Sequence, residues 1–123
     1  METQKNVHAL INGEKPVLID FFAEWCGPCK MMPPILKQIE EHFGDRILVE
    51  KVDVDKHPLT AQYYQIQGVP TLMLFKSGMI LWRESGVIPA PMLIKILEEV
   101  LKSVEPAAGV NSDENQDENK MIN

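Results

Sequence analysis

The segment Val17-Leu18-Ile19-Asp20-Phe21-Phe22 is apolar at every position except Asp20 and shows no polar alternation. A strand with one wet face alternates between apolar and polar residues, so this run has to be covered on both faces, as a central strand between two layers of helix is. The rest of the chain supplies those layers. Val7, Leu10 and Ile11 fall at helical spacing before the stop signal Asn12-Gly13, which predicts a helix over about residues 3–12. Met32, Ile35, Leu36, Ile39 and Phe43 recur at the same period and stop at Gly44, where a left-handed cap is easy. Residues 47–54 read as a second strand, and Pro58, Leu59, Tyr63 and Ile66 as a short helix closed by Gly68. Residues 69–75 and 79–84 are two strands joined through Lys76-Ser77-Gly78. Leu93, Ile94, Leu97, Val100, Leu101 and Val104 form a final amphipathic helix. The order is α-β-α-β-α-β-β-α. Early strands separated by helices are expected to run parallel, and the last two, joined by a tight turn, antiparallel. The fold class is α/β, a mixed sheet with helices on both faces.

The chain has 123 residues, 45% hydrophobic and 24% charged, which suits one core. A chain of this length buries about two thirds of the surface it exposes when unfolded, so neither metal nor structural disulfide is needed for folding, and both cysteines are free for chemistry. Residues 1–105 form the expected domain; from Pro106 onward Asn, Asp, Glu, Ser and Gln dominate without apolar periodicity, and residues 106–123 read as a disordered acidic tail. The net charge of −6 and the lack of a basic stripe argue against a nucleic-acid partner. Residues 1–16 show no basic start and apolar run of a secretory signal, and the longest early apolar run is far shorter than a membrane span. The expectation is a cytoplasmic protein with no membrane association.

Cys26 and Cys29 sit where the first strand hands over to a helix. Spacing of i and i+3 brings the two sulfurs onto one face, close enough for a small disulfide ring. Unpaired N–H groups and the positive dipole end of the helix favour a thiolate at Cys26, and the thiolate is the nucleophile. Cys29, a turn deeper, is better placed to attack a mixed disulfide than to meet a substrate. Pro28 suits a first helical turn because its missing N–H would be unpaired there. A His in its place would stabilise the reduced form and make an oxidant; Pro adds no charge, which favours a reductant. The other use of Cys-x-x-Cys is half of a zinc site, which needs four ligands. No second Cys pair exists and His42 and His57 stand at no ligand-like spacing, so neither metal nor cofactor is expected. Asp20 is chemically odd, a carboxylate within a buried run: either its pKa is raised and it has a task, or it lies at a solvent-facing strand edge.

The stretch Val17-Leu18-Ile19-Asp20-Phe21-Phe22-Ala23-Glu24-Trp25-Cys26-Gly27-Pro28-Cys29-Lys30 resembles the active-site segment of the thioredoxin family, and Val69-Pro70-Thr71 resembles its cis-proline loop. The match extends over about residues 7–104. It implies a thioredoxin fold with a central mixed sheet of four to five strands. By this resemblance Cys26 attacks and Cys29 resolves. Asp20 accepts or relays the Cys29 proton with Lys51 as its neighbour. Trp25, Gly27, Pro28, Val69, a cis Pro70 and Gly86 meet the substrate. Trp25 could equally be a half-buried packing residue, and Pro70 an ordinary trans proline starting a strand. Pro34 is expected to kink the second helix. The implied function is protein-disulfide reduction, with disulfide-containing proteins as substrates, a thioredoxin-reductase-type electron donor and a monomeric state. An oxidase or isomerase, and a binding module without redox turnover, are the competing classes. Two features depart from the family. Only residues 1–16 precede the central strand, too few for a strand plus a helix, and Phe22 stands where many members have Trp.

Overall fold

The computed structural model describes the backbone of residues 2–104 and the side chains of residues 7–104. The expected segment 106–123 lies outside the described residues. Helix α1 (Glu2–Asn12) leads to β1 (Val17–Phe22); a 3-10 turn (Pro28–Met31) then runs into α2 (Met32–Phe43). Strand β2 (Leu48–Asp53), helix α3 (Pro58–Tyr63), strands β3 (Thr71–Lys76) and β4 (Met79–Ser85) and helix α4 (Ala90–Val104) complete the order. Among the described residues the sheet has four strands in the order β2-β1-β3-β4, the lower of the two expected numbers.

Strand β1 occupies the interior of the sheet, and its side chains divide by parity. Val17, Ile19 and Phe21 join Val52, Met73 and Phe75 under Val7 and Ile11 of α1. Leu18 turns to the other face and joins Leu72 and Leu74 under Met32, Leu36, Ile39 and Phe43 of α2 and Leu93, Leu97 and Leu101 of α4. The period of two of the strand therefore meets the 3.6-residue period of helices on both sides, which is why the run needs no polar alternation. At the far end of α2, Glu98 of α4 accepts from Arg46 at 2.7 and 3.1 Å and lies 2.8 Å from His42. Arg46 and His42 hold the Glu98 carboxyl down to about 2. The groups are more than a third exposed, so the cluster adds little stability.

Strand β2 is parallel to β1, as expected, but β3 runs antiparallel to β1 although a helix precedes it. The reason is length. Helix α3 has six residues, about 9 Å of rise, whereas a six-residue strand spans about 20 Å. The helix cannot carry the chain back along the sheet, so β3 starts at the end where β1 finishes, Thr71 pairing with Phe21. Nor does Gly68 close α3. The helix stops at Tyr63, Gln65 takes φ 55, and the N–H of Ile66 donates to the Ala61 carbonyl at 2.9 Å.

The helix in which Pro34 was expected to make a kink is not one continuous α-helix. The chain changes from 3-10 to α geometry at Met31–Met32, so Pro33 and Pro34 both stand in the first turn of α2, where a missing N–H leaves no intrahelical bond unmade. The β3–β4 hairpin turns on Ser77 (φ 53) and Gly78 (φ 81). Two positive φ values match the twist of the flanking strands. The same two residues donate N–H groups to the carbonyls of Gly13 (2.7 Å) and Ile11 (2.8 Å), so the hairpin caps the end of α1.

Candidate active site

Cys26 and Cys29 are joined in a disulfide, with a Cα–Cα separation of 5.4 Å. Cys26 precedes the 3-10 turn, whose N-cap is Gly27 and whose first residue is Pro28. The N–H of Cys29 donates to Cys26 Sγ at 3.1 Å, which is the helix-start donor expected to face this sulfur. A difference from the sequence expectation concerns depth. Cys26 is 4% exposed and Cys29 6%, so burial does not rank them. Their surroundings do: Cys26 Sγ lies 3.6 Å from the carbonyl oxygen of Val69, whereas Cys29 lines a cavity of about 190 Å³ with Phe22, Pro33 and Lys51 among its walls. The reason is that neighbouring loops cover the first cysteine, which no local spacing can reveal.

Val69 and Pro70 are joined by a cis peptide bond beside this sulfur. The carbonyl of Pro70 accepts the N–H of Gly86 at 2.8 Å, and Gly86 has φ 99, a conformation that favours glycine. Gly86 thus joins the same loop pair as Pro70. Thr71, part of the Val69-Pro70-Thr71 segment but without an expected role of its own, is fully buried and secures this loop: its hydroxyl donates to the Gly68 carbonyl at 2.6 Å and lies 2.8 Å from Ser85 Oγ. Gly27 has ordinary helical angles, and among the described residues a Cβ at this position would meet no atom within 4 Å.

Asp20 is 1% exposed, and among the described residues neither of its carboxylate oxygens has a hydrogen-bond partner. The solvent-edge alternative is therefore not what the fold adopts. Burial raises its pKa from 3.8 to about 6, and the charge of Lys51 opposes part of the rise. Lys51 stands opposite Asp20 in the β1–β2 register, with its ammonium 4.6 Å from the centroid of the Phe22 ring. An ammonium over an aromatic face is attracted by the ring's negative face, so Phe22 contributes to where the Lys51 charge rests. Trp25 is 72% exposed rather than packed, and its indole N–H donates to Asp55 Oδ2 at 2.8 Å. Asp55 carries no signal in the sequence, being thirty residues away from Trp25. Only the parallel pairing of β1 and β2 brings the loops that follow them together.

A two-cysteine ring with an N–H aimed at one sulfur, a backbone carbonyl beside that sulfur and a buried carboxylate is suited to exchange electrons by making and breaking its own disulfide. The comparisons with known proteins agree. The sequence model of the thioredoxin family matches residues 1–99. A thioredoxin-like protein of Synechocystis sp. is 52% identical over 89 residues, 72% of this chain and 85% of that protein. Thioredoxin 1 of Chlorobaculum tepidum is 48% identical over 91 residues, 74% of this chain and 87% of that protein. The chloroplastic thioredoxin Y2 of Arabidopsis thaliana is 46% identical over 93 residues, 76% of this chain and 56% of that longer protein. Among the described residues no helix is long and apolar enough to cross a membrane. The four-stranded mixed sheet, the disulfide just beyond the end of its interior strand β1 and these matches lead to one conclusion: the chain belongs to the thioredoxin family and is a thiol–disulfide oxidoreductase.

Proposed function

We propose that the protein is a protein-disulfide reductase in which Cys26 is the attacking thiolate and Cys29 the resolving thiol. The observation that carries the reading is the asymmetry around the disulfide: Cys26 Sγ receives the Cys29 N–H and faces the Val69 carbonyl, while Cys29 lines the cavity it shares with Lys51. In the reduced protein the Cys26 thiolate attacks one sulfur of a partner's disulfide. A mixed disulfide forms and the other partner sulfur leaves as a thiolate. Cys29, once deprotonated, attacks the Cys26 sulfur; the Cys26–Cys29 bond forms and the second partner sulfur leaves. Two electrons pass to the partner, and the protein ends in the disulfide form seen here. Asp20 takes the Cys29 proton, since a carboxyl with a pKa of about 6 is mostly ionised near neutrality and can still accept a proton. Lys51, opposite Asp20, steadies that charge.

The partner's segment docks across Trp25, Gly27, Pro28, Val69, Pro70 and Gly86. The exposed indole, the open space at Gly27 and the position of the Val69 carbonyl 3.6 Å from Cys26 Sγ support this. A thioredoxin-reductase-type donor restores the dithiol. Because Pro28 adds no charge beside the thiolate, the pair works as a reductant, in a reducing compartment such as the cytoplasm, and as a monomer. The reacting groups and the docking surface all lie within residues 1–105, and residues 106–123 are not needed for the reaction.

The two cysteines should fail in different ways. Cys26→Ser abolishes both turnover and adduct formation. Cys29→Ser still attacks but cannot resolve, so adducts accumulate on non-reducing gels, disappear with dithiothreitol and map to Cys26 by mass spectrometry. If Cys26→Ser were the variant that trapped partners, the roles would be reversed; if neither trapped any, the reductase reading would give way to a binding module.

A further inference from the structure

Strand β2 closes one side of the sheet, and its outer edge carries backbone groups that the sheet does not use. In the ladder to β1 the N–H of Leu48 donates to the Pro16 carbonyl and the N–H of Val54 to that of Phe22, both at 2.9 Å. Alternate residues of a strand turn their backbone groups to opposite sides, so the even-numbered residues of β2 bond to β1, while Val49 and Lys51 aim N–H and C=O outward. Among the described residues no strand pairs with that edge. The opposite edge strand, β4, carries a register shift and the charged pair Arg83-Glu84, two devices that keep an edge from pairing. Strand β2 has no such shift and keeps register with β1 over six pairs. Beside it lies a groove of about 550 Å³ between α2 and β2, with Leu36 and Val49 beneath and Pro33, Lys37, Glu40 and Lys51 around it. Pro33 and Lys51 also line the cavity of Cys29, so the groove runs up to that side of the disulfide.

The charges on β2 decide what can add to it. In an antiparallel pair, opposed residues share a face, so two copies of β2 must pair about a central residue. Centred on Glu50 or Lys51, that residue opposes its own copy and like charges meet. Centred on Val49, Leu48 faces Glu50 and Ile47 faces Lys51, apolar against charged. Centred on Leu48 or Val52, the overlap runs into the Gly44–Arg46 3-10 turn or into Asp53, whose carbonyl already accepts from Lys56 and His57. A second copy of the chain is thus a poor occupant, and a strand of complementary charge a good one. We propose that the outer edge of β2 docks an extended segment of another protein, which adds as a fifth, antiparallel strand with an acidic side chain opposite Lys51, a basic one opposite Glu50 and an apolar one opposite Val49. Main-chain bonds to Val49 and Lys51 supply affinity and the alternating side chains supply selectivity. The apolar side chain joins Val49 on the α2 side of the sheet, where Val49 packs against the cluster that holds Leu36. This goes beyond the reductase reading and stands without it.

The probe is an end-blocked peptide, Thr-Thr-Glu-Lys-Val-Thr, whose Glu, Lys and Val fall opposite Lys51, Glu50 and Val49 in the antiparallel register. Amide hydrogen exchange of the oxidised full chain is followed by NMR. In the free protein the amides of Leu48, Glu50 and Val52 should exchange slowly and those of Val49 and Lys51 fast. With peptide at about ten times its Kd, mass action should slow Val49 and Lys51 about 10-fold and leave the even-numbered amides unchanged. Exchanging the two charges, to Thr-Thr-Lys-Glu-Val-Thr, sets like charges opposite each other on both faces and should weaken binding roughly 5-fold or more. Val49→Pro removes an outward N–H without touching the ladder to β1 and should abolish the slowing at Lys51. The two-peptide comparison uses the wild-type chain and decides the matter even if that variant folds poorly. Equal affinity of the two peptides, no slowing at millimolar peptide, or equal slowing of odd and even amides would overturn the proposal. So would slow exchange of Val49 and Lys51 in the free protein: at every protein concentration it would mean that the chain covers its own edge, and only at high concentration that a second copy does.

Discussion

Asp20 costs the fold stability and is kept within it. Below about pH 4 the carboxyl is protonated in both the folded and the unfolded chain and contributes nothing. As pH rises through the window from 3.8 to about 6, the unfolded chain releases its proton first, so the folded state is progressively disfavoured. At about 1.4 kcal/mol per pKa unit, the loss reaches about 3 kcal/mol once pH exceeds the folded value. Asp20→Asn removes this titration and slows resolution by Cys29. An amide keeps its own burial penalty, so the informative quantity is the difference between the two proteins as a function of pH. Relative to the variant, wild type should lose about 3 kcal/mol between about pH 4 and pH 7.5. Urea unfolding of both oxidised proteins across that range measures it, and parallel stability curves would argue that Asp20 is not buried as a carboxylate.

At the scale of elements, the hairpin between β3 and β4 does two tasks at once. It reverses the chain and satisfies the carbonyls of Ile11 and Gly13 at the end of α1. Gly78 serves both, because its φ is 81 and a Cβ there would come within 2.9 Å of Asn12 Oδ1. The other atom of that amide, Nδ2, donates to the His8 carbonyl at 2.9 Å on the exposed surface, so a shift of Asn12 disturbs this bond. Gly78→Ala should therefore destabilise the protein by about 1–3 kcal/mol, combining the left-handed backbone penalty with displacement of Asn12. Gly86→Ala makes a useful contrast: φ is 99, but no described atom lies within 4 Å of the added methyl, so only the backbone penalty applies. Thermal unfolding of the two variants separates the effects; equal losses would mean that the Asn12 contact is of no consequence.

For the whole molecule, the core is built from both faces of one sheet, and its buried side chains run from Val7 to Leu101 among the described residues. Removing residues 107–123 should leave the unfolding midpoint and the insulin-reduction rate nearly unchanged, because that polar sequence has no apolar period with which to join either cluster. A clear fall in either measurement would show that the segment docks on the domain.

Much of this architecture could be read in advance, wherever burial writes a period into the chain. Helices α1, α2 and α4 each place one apolar face on the sheet, and β1 is covered on both sides, so 3.6-residue spacing and an unbroken run were each sufficient. The Cys26–Cys29 ring was legible for the same reason, being a matter of local spacing. What escaped depends on which segments meet. The direction of β3 follows from how far α3 can carry the chain, and the end of α3 from Gln65 accepting a positive φ. The equal burial of the two cysteines, the Lys51 ammonium over Phe22 and the grip of Asp55 on Trp25 all arise between residues far apart in sequence. Local chemistry and periodicity are properties of neighbouring residues, and the sequence by itself determined them. Depth, strand direction and the partners of polar side chains depend on non-local contacts, and these exist only once β1, β2 and β3 lie side by side in the folded sheet.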